Sequence, residues 1–150
     1  MEVSKKVIVI LVEPSGSLNL GSVARLCANF DVAELRLVSP QCDPSDQVAK
    51  IMAVHGRELL KKATKFPRLI DAISDCRKIV ATCGRIDHGE TPLHSIQEVV
   101  PWLMKGQDSS PIAIVFGRED RGLTNKELQL AQKVITLKTT KNYPSLNLSH

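Results

Sequence analysis

Aromatic residues are scarce: three Phe, one Trp and one Tyr in 150 residues. That is too few for a base-stacking platform of the single-strand-binding kind. Cysteine is sparse too. Cys27, Cys42, Cys76 and Cys83 contain no C-x-x-C pair, which argues against a zinc site and against a thioredoxin-type redox site. Four small, buried or half-buried thiols are expected instead. The longest apolar run, Val7-Ile8-Val9-Ile10-Leu11-Val12, is far too short to span a bilayer. Glu2 precedes it and no small-residue cleavage site follows, so no signal peptide is visible and the cytoplasm is the expected compartment. Internal repeats, low-complexity stretches and long linkers are also missing, and one domain over residues 1–150 is expected.

What is present describes a globular chain. Hydrophobic residues make up 43% and charged residues 24%, proportions that bury a core rather than leave a disordered tail. The net charge of +4 is concentrated in one place. Between residues 57 and 78 stand Arg57, Lys61, Lys62, Lys65, Arg68, Arg77 and Lys78 against Glu58, Asp71 and Asp75, a local excess equal to the whole net charge. Such a field attracts phosphate-rich partners, although a solvated helix face would look the same in sequence.

Strand and helix patterns alternate along the chain. Residues 6–12, 34–38, 78–83, 111–116 and 133–137 read as strands. Residues 20–30, with Asn19 as N-cap, read as a helix. So do 45–55 with Ser45 as cap, 57–63 after a break at Gly56, 69–76, and 93–104 despite Pro101. Residues 124–132 open with Thr124 and Glu127 at capping-box spacing. This order predicts an α/β domain, a mostly parallel sheet with helices on both faces. Ligands of such sheets bind at the strand carboxyl ends. The loops after Val12, Ala81, Phe116 and Leu137 are therefore the ones to read.

The first loop, residues 14–25, is polar and opens a helix, a setting that favours an anion. It carries Asn19 and Arg25 but neither a Walker A sequence nor G-x-G-x-x-G, which counts against a nucleotide-binding enzyme on a doubly wound sheet. The second, Thr82-Cys83-Gly84-Arg85, offers small residues where a ligand can approach the backbone. In the third, a buried strand delivers Gly117 and then Arg118, Glu119, Asp120 and Arg121. The last, residues 143–150, supplies Ser and Asn side chains.

Three segments together are specific. N-L-G-S-V-A-R (19–25), V-F-G-R-E-D-R-G-L-T-N (115–125) and Y-P-S-L-N-L-S-H (143–150) resemble, in order and at strand ends, the three motifs of the SPOUT methyltransferases. Within that superfamily the chain is similar to TrmH-like RNA 2′-O-ribose methyltransferases, over essentially its whole length. The resemblance implies an α/β domain with a C-terminal trefoil knot, S-adenosylmethionine as cofactor, a homodimer, RNA as partner, and no metal. It implies tRNA as the substrate, at the first nucleotide of the anticodon loop; ribosomal RNA, another tRNA site, or an inactive RNA-binding module of the same fold are the alternatives. Carried over, the cofactor pocket comprises Thr82, Cys83, Gly84, Gly117, Leu137, Ser145, Leu146 and Asn147. Asn19, Arg25, Glu119 and Ser145 are the implied catalytic-site residues. Arg25, Arg57, Lys61, Lys62, Lys65 and Arg85 are candidate RNA contacts. The family continues past its third motif with a helix that completes the knot, whereas this sequence stops at His150; an incomplete knot, from which that helix is missing, is the corresponding expectation.

Overall fold

The apolar run expected to be buried on both faces forms the central strand β1 (Val7–Val12), with Ile8 to Val12 all inaccessible or nearly so. A computed structural model describes residues 6–84, 93–106 and 110–136. After β1 come α1 (Ser17–Asn29), β2 (Glu34–Val38), α2 (Gln47–Ala53), a 3-10 turn (Val54–Gly56), α3 (Arg57–Lys61), β3 (Thr64–Phe66) and α4 (Leu69–Ala72). β4 (Lys78–Cys83), α5 (Ile96–Met104), β5 (Ile112–Phe116), α6 (Asn125–Leu128) and β6 (Lys133–Thr136) complete the described elements. The strands pair side by side in the order β3-β2-β1-β5-β4-β6, every pair parallel. The α/β expectation therefore holds. The implied trefoil knot falls on the third-motif segment, outside the described residues.

Strand periodicity explains the layering. Successive side chains of a strand point to opposite faces. Ile8, Ile10 and Val12 accordingly pack with Leu69, Ala72, Ile73 and Leu128 on one face. Val9 and Leu11 pack with Leu20, Val23, Ala24, Cys27, Ala49 and Leu60 on the other. A third cluster sets Val99 and Leu103 of α5 against Val80, Ile112 and Ile135. Each fully buried Leu or Ile contributes about 1.5–3 kcal/mol by leaving water, so the double-sided burial of β1 makes it the mechanical centre of the domain.

Several boundaries differ from the sequence expectation, each for a local reason. Asn19 is not the cap of α1: the helix begins at Ser17 after an extended Gly16, and no side chain caps it. The amide of Leu20 already reaches the Gly16 carbonyl at 2.9 Å, so the helix has closed its first turn before the expected start. Asp46 rather than Ser45 caps α2, because its carboxylate accepts from the Val48 amide while Ser45 turns back onto Asp43. α4 and α6 stop at Ala72 and Leu128, short of the expected ends. Gly56 does break the helix, through the 3-10 turn. Capping boxes close α5 (Ser95 and Glu98) and α6 (Thr124 and Glu127); the second was expected and the first was not. β3 was read only as part of a basic stretch. Its three residues are too few to show a period, and two of them are exposed at the sheet edge.

One charge is buried in this frame. The Arg36 side chain, on β2, donates to Asp75 at 2.7 and 2.9 Å, to Glu34 at 2.8 Å and to the Ala72 carbonyl at 2.7 Å. It lies 5.7 Å from the centre of the Phe66 ring. The bidentate pair pulls the Asp75 carboxyl down to about 2. The four cysteines are not joined in disulfides; Cys27 and Cys83 are buried, Cys42 and Cys76 half-buried. Burial pushes the Cys27 thiol up to about 12 and, with Asp75 beside it, Cys76 to about 11, as suits structural thiols.

Candidate active site

The strand order fixes where a ligand can sit. From β1 the chain moves outward to β2 and β3, whereas β5 lies on the opposite side of β1. The direction of the strand order thus reverses between β1 and β5, and the crevice outside their carboxyl ends is where open sheets of this kind bind ligands. Glu13 to Gly16 leave β1 there, and Gly117 to Gly122 leave β5.

Two consecutive residues of the second loop hold two alternate residues of the first. The Arg118 guanidinium donates to the Glu13 carboxylate through Nε at 3.1 Å and also through Nη2. It further donates to the Gly122 carbonyl at 3.1 Å and to the Glu127 carboxylate at 2.8 and 3.0 Å. Glu119 accepts from the Ser15 amide at 3.1 and 3.2 Å and from the Ser15 hydroxyl at 2.7 Å. Glu13 adopts a positive φ of 49°, which turns the chain out of the strand. Burial opposes the charge on Glu127, but bonds from Arg118 and the Thr124 amide outweigh it and hold the carboxyl below its ordinary range. The same carboxylates raise Arg118, which stays charged. A third loop supports this region: the Gln41 amide and the Cys42 thiol both donate to the Pro14 carbonyl, at 2.9 and 3.4 Å.

The expected site residues distribute as follows. Asn19 is half-buried in the first turn of α1. Arg25 is exposed on the third turn, about 12 Å of rise from the helix start. It makes no hydrogen bond or ion pair among the described residues. From Asn19 to Arg25 the helix advances about 9 Å and turns through about 120°, so the two side chains of one chain do not converge. Thr82 and Cys83 are buried at the end of β4, with Gly84 half-buried beyond them. Registers align Ala81 with Val115 of β5, and Cys83 with Thr136 of β6. Three strand ends therefore stand in one row. The Thr82 hydroxyl is already committed to the Val115 carbonyl at 3.0 Å. Gly117 is buried, and a Cβ there would collide with the backbone of Gly122 and Leu123. Its own loop therefore already requires glycine at this position.

Arg57, Lys61, Lys62 and Lys65 are exposed. Arg57 Nε donates to the Lys50 carbonyl at 2.9 Å, and Lys62 lies 3.9 Å from Glu58. Arg85, Leu137, Ser145, Leu146 and Asn147 fall outside the described residues. Among the described residues no group of three or more His, Cys, Asp and Glu is placed to hold a metal ion. No helix there is long and apolar enough to cross a membrane. Sequence reasoning missed Ser15 and the anchoring role of Arg118. The only trace of either is that Glu13 and Ser15 alternate while Arg118 and Glu119 are adjacent, a pattern that gains meaning once β1 and β5 are known to be neighbours.

Comparison with known proteins agrees with this layout. The chain is 37% identical over 146 residues to the tRNA (cytidine-2′-O-)-methyltransferase TrmJ of Methanocaldococcus jannaschii, covering 95% of this chain and 62% of that protein. It is 33% identical to the tRNA (cytidine/uridine-2′-O-)-methyltransferase TrmJ of Pectobacterium atrosepticum, covering 94% and 58%. It thus spans about three-fifths of the length of these curated relatives. The crystal structure of TrmJ from Z. mobilis superposes with a TM-score of 0.84 at 28% identity, over 98% of this chain and 64% of that one. A probable methyltransferase from Bordetella pertussis superposes at 0.87 with 27% identity, over 97% and 88%. The SpoU rRNA Methylase family pattern matches residues 6–150, a span that takes in all three strand-end motifs. On that match, the chain belongs to the SpoU methylase family.

Proposed function

We propose that this chain is the catalytic domain of a cytoplasmic, S-adenosylmethionine-dependent 2′-O-ribose methyltransferase acting on tRNA at the first nucleotide of the anticodon loop. The observation that carries the reading is the meeting of two motif loops at one crevice. Ser15 and Asn19 enter from the β1 side, and Gly117 and Glu119 from the β5 side. The curated relatives named TrmJ, which methylate cytidine or uridine ribose in tRNA by their names, support the substrate class.

The residues present fit the cofactor. The ends of β4 and β5 bring together Thr82, Cys83, Gly84 and Gly117, an uncharged and largely buried set suited to a purine held through backbone groups. Leu137, Ser145, Leu146 and Asn147 complete the pocket in the family pattern, and the superfamily's knotted cofactor fold belongs to the same proposal. Bound S-adenosylmethionine supplies a methyl group carried on a sulfonium. The ribose hydroxyl would lose its proton, to an RNA phosphate oxygen or a water, as its oxygen takes the methyl and the sulfonium becomes a neutral thioether. Arg25 is a poor base because a guanidinium stays protonated. Its role is to bind an RNA phosphate and stabilise the developing negative charge.

The position of Arg25, exposed, unpaired and about 12 Å along α1 from the crevice, is also the reason to infer a homodimer. A second chain brings the arginine of one α1 to the crevice of the other. Arg57, Lys61, Lys62 and Lys65, with Arg85, would lie along the RNA backbone.

The test is methyl transfer from labelled S-adenosylmethionine to unmodified tRNA and to a twin carrying 2′-deoxyribose at the mapped nucleotide. Transfer that vanishes with the deoxy substrate establishes ribose methylation. Transfer retained by the deoxy substrate overturns it. Transfer to ribosomal RNA alone overturns the tRNA assignment.

A further inference from the structure

We infer that Ser15 is a positioning residue for methyl transfer, acting as a latch with Glu119 that sets the entry of α1 against the loop after β5. The inference rests on the methyltransferase reading. Its ground is the way the two loops are tied.

α1 enters without a side-chain cap and without an acid in its first turn. One tie on its entry comes from 104 residues away, since both Glu119 oxygens accept from Ser15, one from the amide and one from amide and hydroxyl together. The Glu119 end is itself anchored. Its neighbour Arg118 is held by Glu13 and Glu127, and the Arg118 and Gly122 backbones close a small ring at 2.9 and 3.3 Å. Contacts from the other side, Ser17 to Asp46 and the Pro14 carbonyl to Gln41 and Cys42, tie the same entry to the α2 region, and the latch joins it to the fixed point after β5. Asn19 lies one turn past Ser15, and Gly117 two residues before Glu119. A shift at the latch therefore moves the Asn19 side chain relative to the cofactor loop. With both its oxygens engaged on Ser15, Glu119 serves to hold geometry and not to collect a proton. Ser15 is exposed and Glu119 half-buried, so solvent screens the bond and it adds little to folding. Its effect belongs in the rate, where a misplacement of about 1 Å costs up to about 100-fold.

The experiment compares Ser15→Ala, Ser15→Thr, Glu119→Gln and the Ser15→Ala/Glu119→Gln double variant. The readouts are kcat, KM for tRNA, cofactor affinity, thermal midpoint, and exchange of the Ser15 amide proton. Ser15→Ala is expected to lower kcat by about 10- to 100-fold while KM, cofactor affinity and midpoint stay near wild type. Ser15→Thr keeps the hydroxyl and restores the rate. The double variant loses far less than the product of the single losses, because both substitutions weaken the same Ser15–Glu119 contact. Wild-type kcat in Ser15→Ala, or a double loss equal to the product of the singles, overturns the latch. Amide exchange decides separately from activity, in a Glu119→Ala variant that removes both acceptor oxygens: the Ser15 amide exchanges faster there if the latch exists, and unchanged exchange overturns it. Wild-type protein that transfers methyl to no RNA overturns the methyltransferase reading, and the latch then stands or falls on exchange alone.

Discussion

Three arginines show how much a residue's role depends on partners far away in sequence. Arg36 is buried and saturated by Glu34, Asp75 and a carbonyl. Arg118 is nearly buried and saturated by Glu13, Glu127 and a carbonyl. Arg25 is exposed, and among the described residues nothing pairs with it. The first two are parts of the scaffold, and the third is the one that the proposed function assigns to RNA. Arg25→Lys keeps the charge but loses the planar fork that grips a phosphate with two bonds. Hydrogen bonds to charged groups contribute about 1.5–3 kcal/mol. Loss of that geometry should therefore lower kcat/KM for tRNA by about 10- to 100-fold, with the thermal midpoint unchanged because no intrachain bond is lost. Full activity in Arg25→Lys would leave charge alone as the contribution of Arg25. The sequence singled out Arg25 through its motif and flagged Arg118 only as one of four adjacent charges. It had no means of finding Arg36, whose carboxylate partner Asp75 lies 39 residues on.

Elements were legible where the pattern was long and one-sided. β2 and β4 match their expected limits, and β1 and β5 match to within one residue; in β1, β4 and β5 the apolar, largely β-branched runs announce strands buried on both faces. Helix starts were less legible, since α1 is held at its entry by Glu119 instead of by a local cap. The contact between α1 and α2 was also invisible in sequence. The two helices run side by side: Ser17 bonds Asp46 at 2.9 Å, and a Cβ on Gly21 would land on the Ala49 carbonyl and 2.8 Å from Met52 Cβ. Further on, Gly56 presses equally close on the backbone of Ala24 and Arg25. These glycines set the distance between the helix that carries Asn19 and Arg25 and the helix behind it. Alanine is the better helix former by about 1 kcal/mol. Overpacking against backbone, which cannot swing aside, costs about 1–3 kcal/mol. Gly21→Ala is therefore expected to lower the urea midpoint with an unchanged m-value. A raised midpoint would mean that α2 moves away at little cost.

At the scale of the whole molecule, the strand order that makes the crevice also places the charge. β3 is the outer strand on the β1–β2 side, and α3 immediately precedes it. Neighbouring strands lie about 4.8 Å apart, which sets β3 about 10 Å across the sheet from β1. The exposed Lys61 and Lys62, just before β3, and Lys65, within it, thus form a flank along that edge of the sheet. Among the described residues, Lys62 lies 3.9 Å from Glu58, and Lys65 is near enough to help the Ser45 hydroxyl hold the Asp43 carboxyl down. In the proposed reading, this flank would neutralise RNA phosphates, and binding there would proceed through counterion release. Each neutralised phosphate adds about 0.7–0.9 to the slope of log affinity against log salt. Replacing all three lysines by alanine should therefore flatten that slope by roughly 2, slightly less than three full contacts because Lys62 is partly neutralised by Glu58. The measurement is tRNA affinity across a salt series for wild type and variant. A flattened slope joins the β3 edge to the crevice as one RNA path. An unchanged slope moves that path to another face of the domain, and leaves the basic window as the solvated surface that its composition alone also allows.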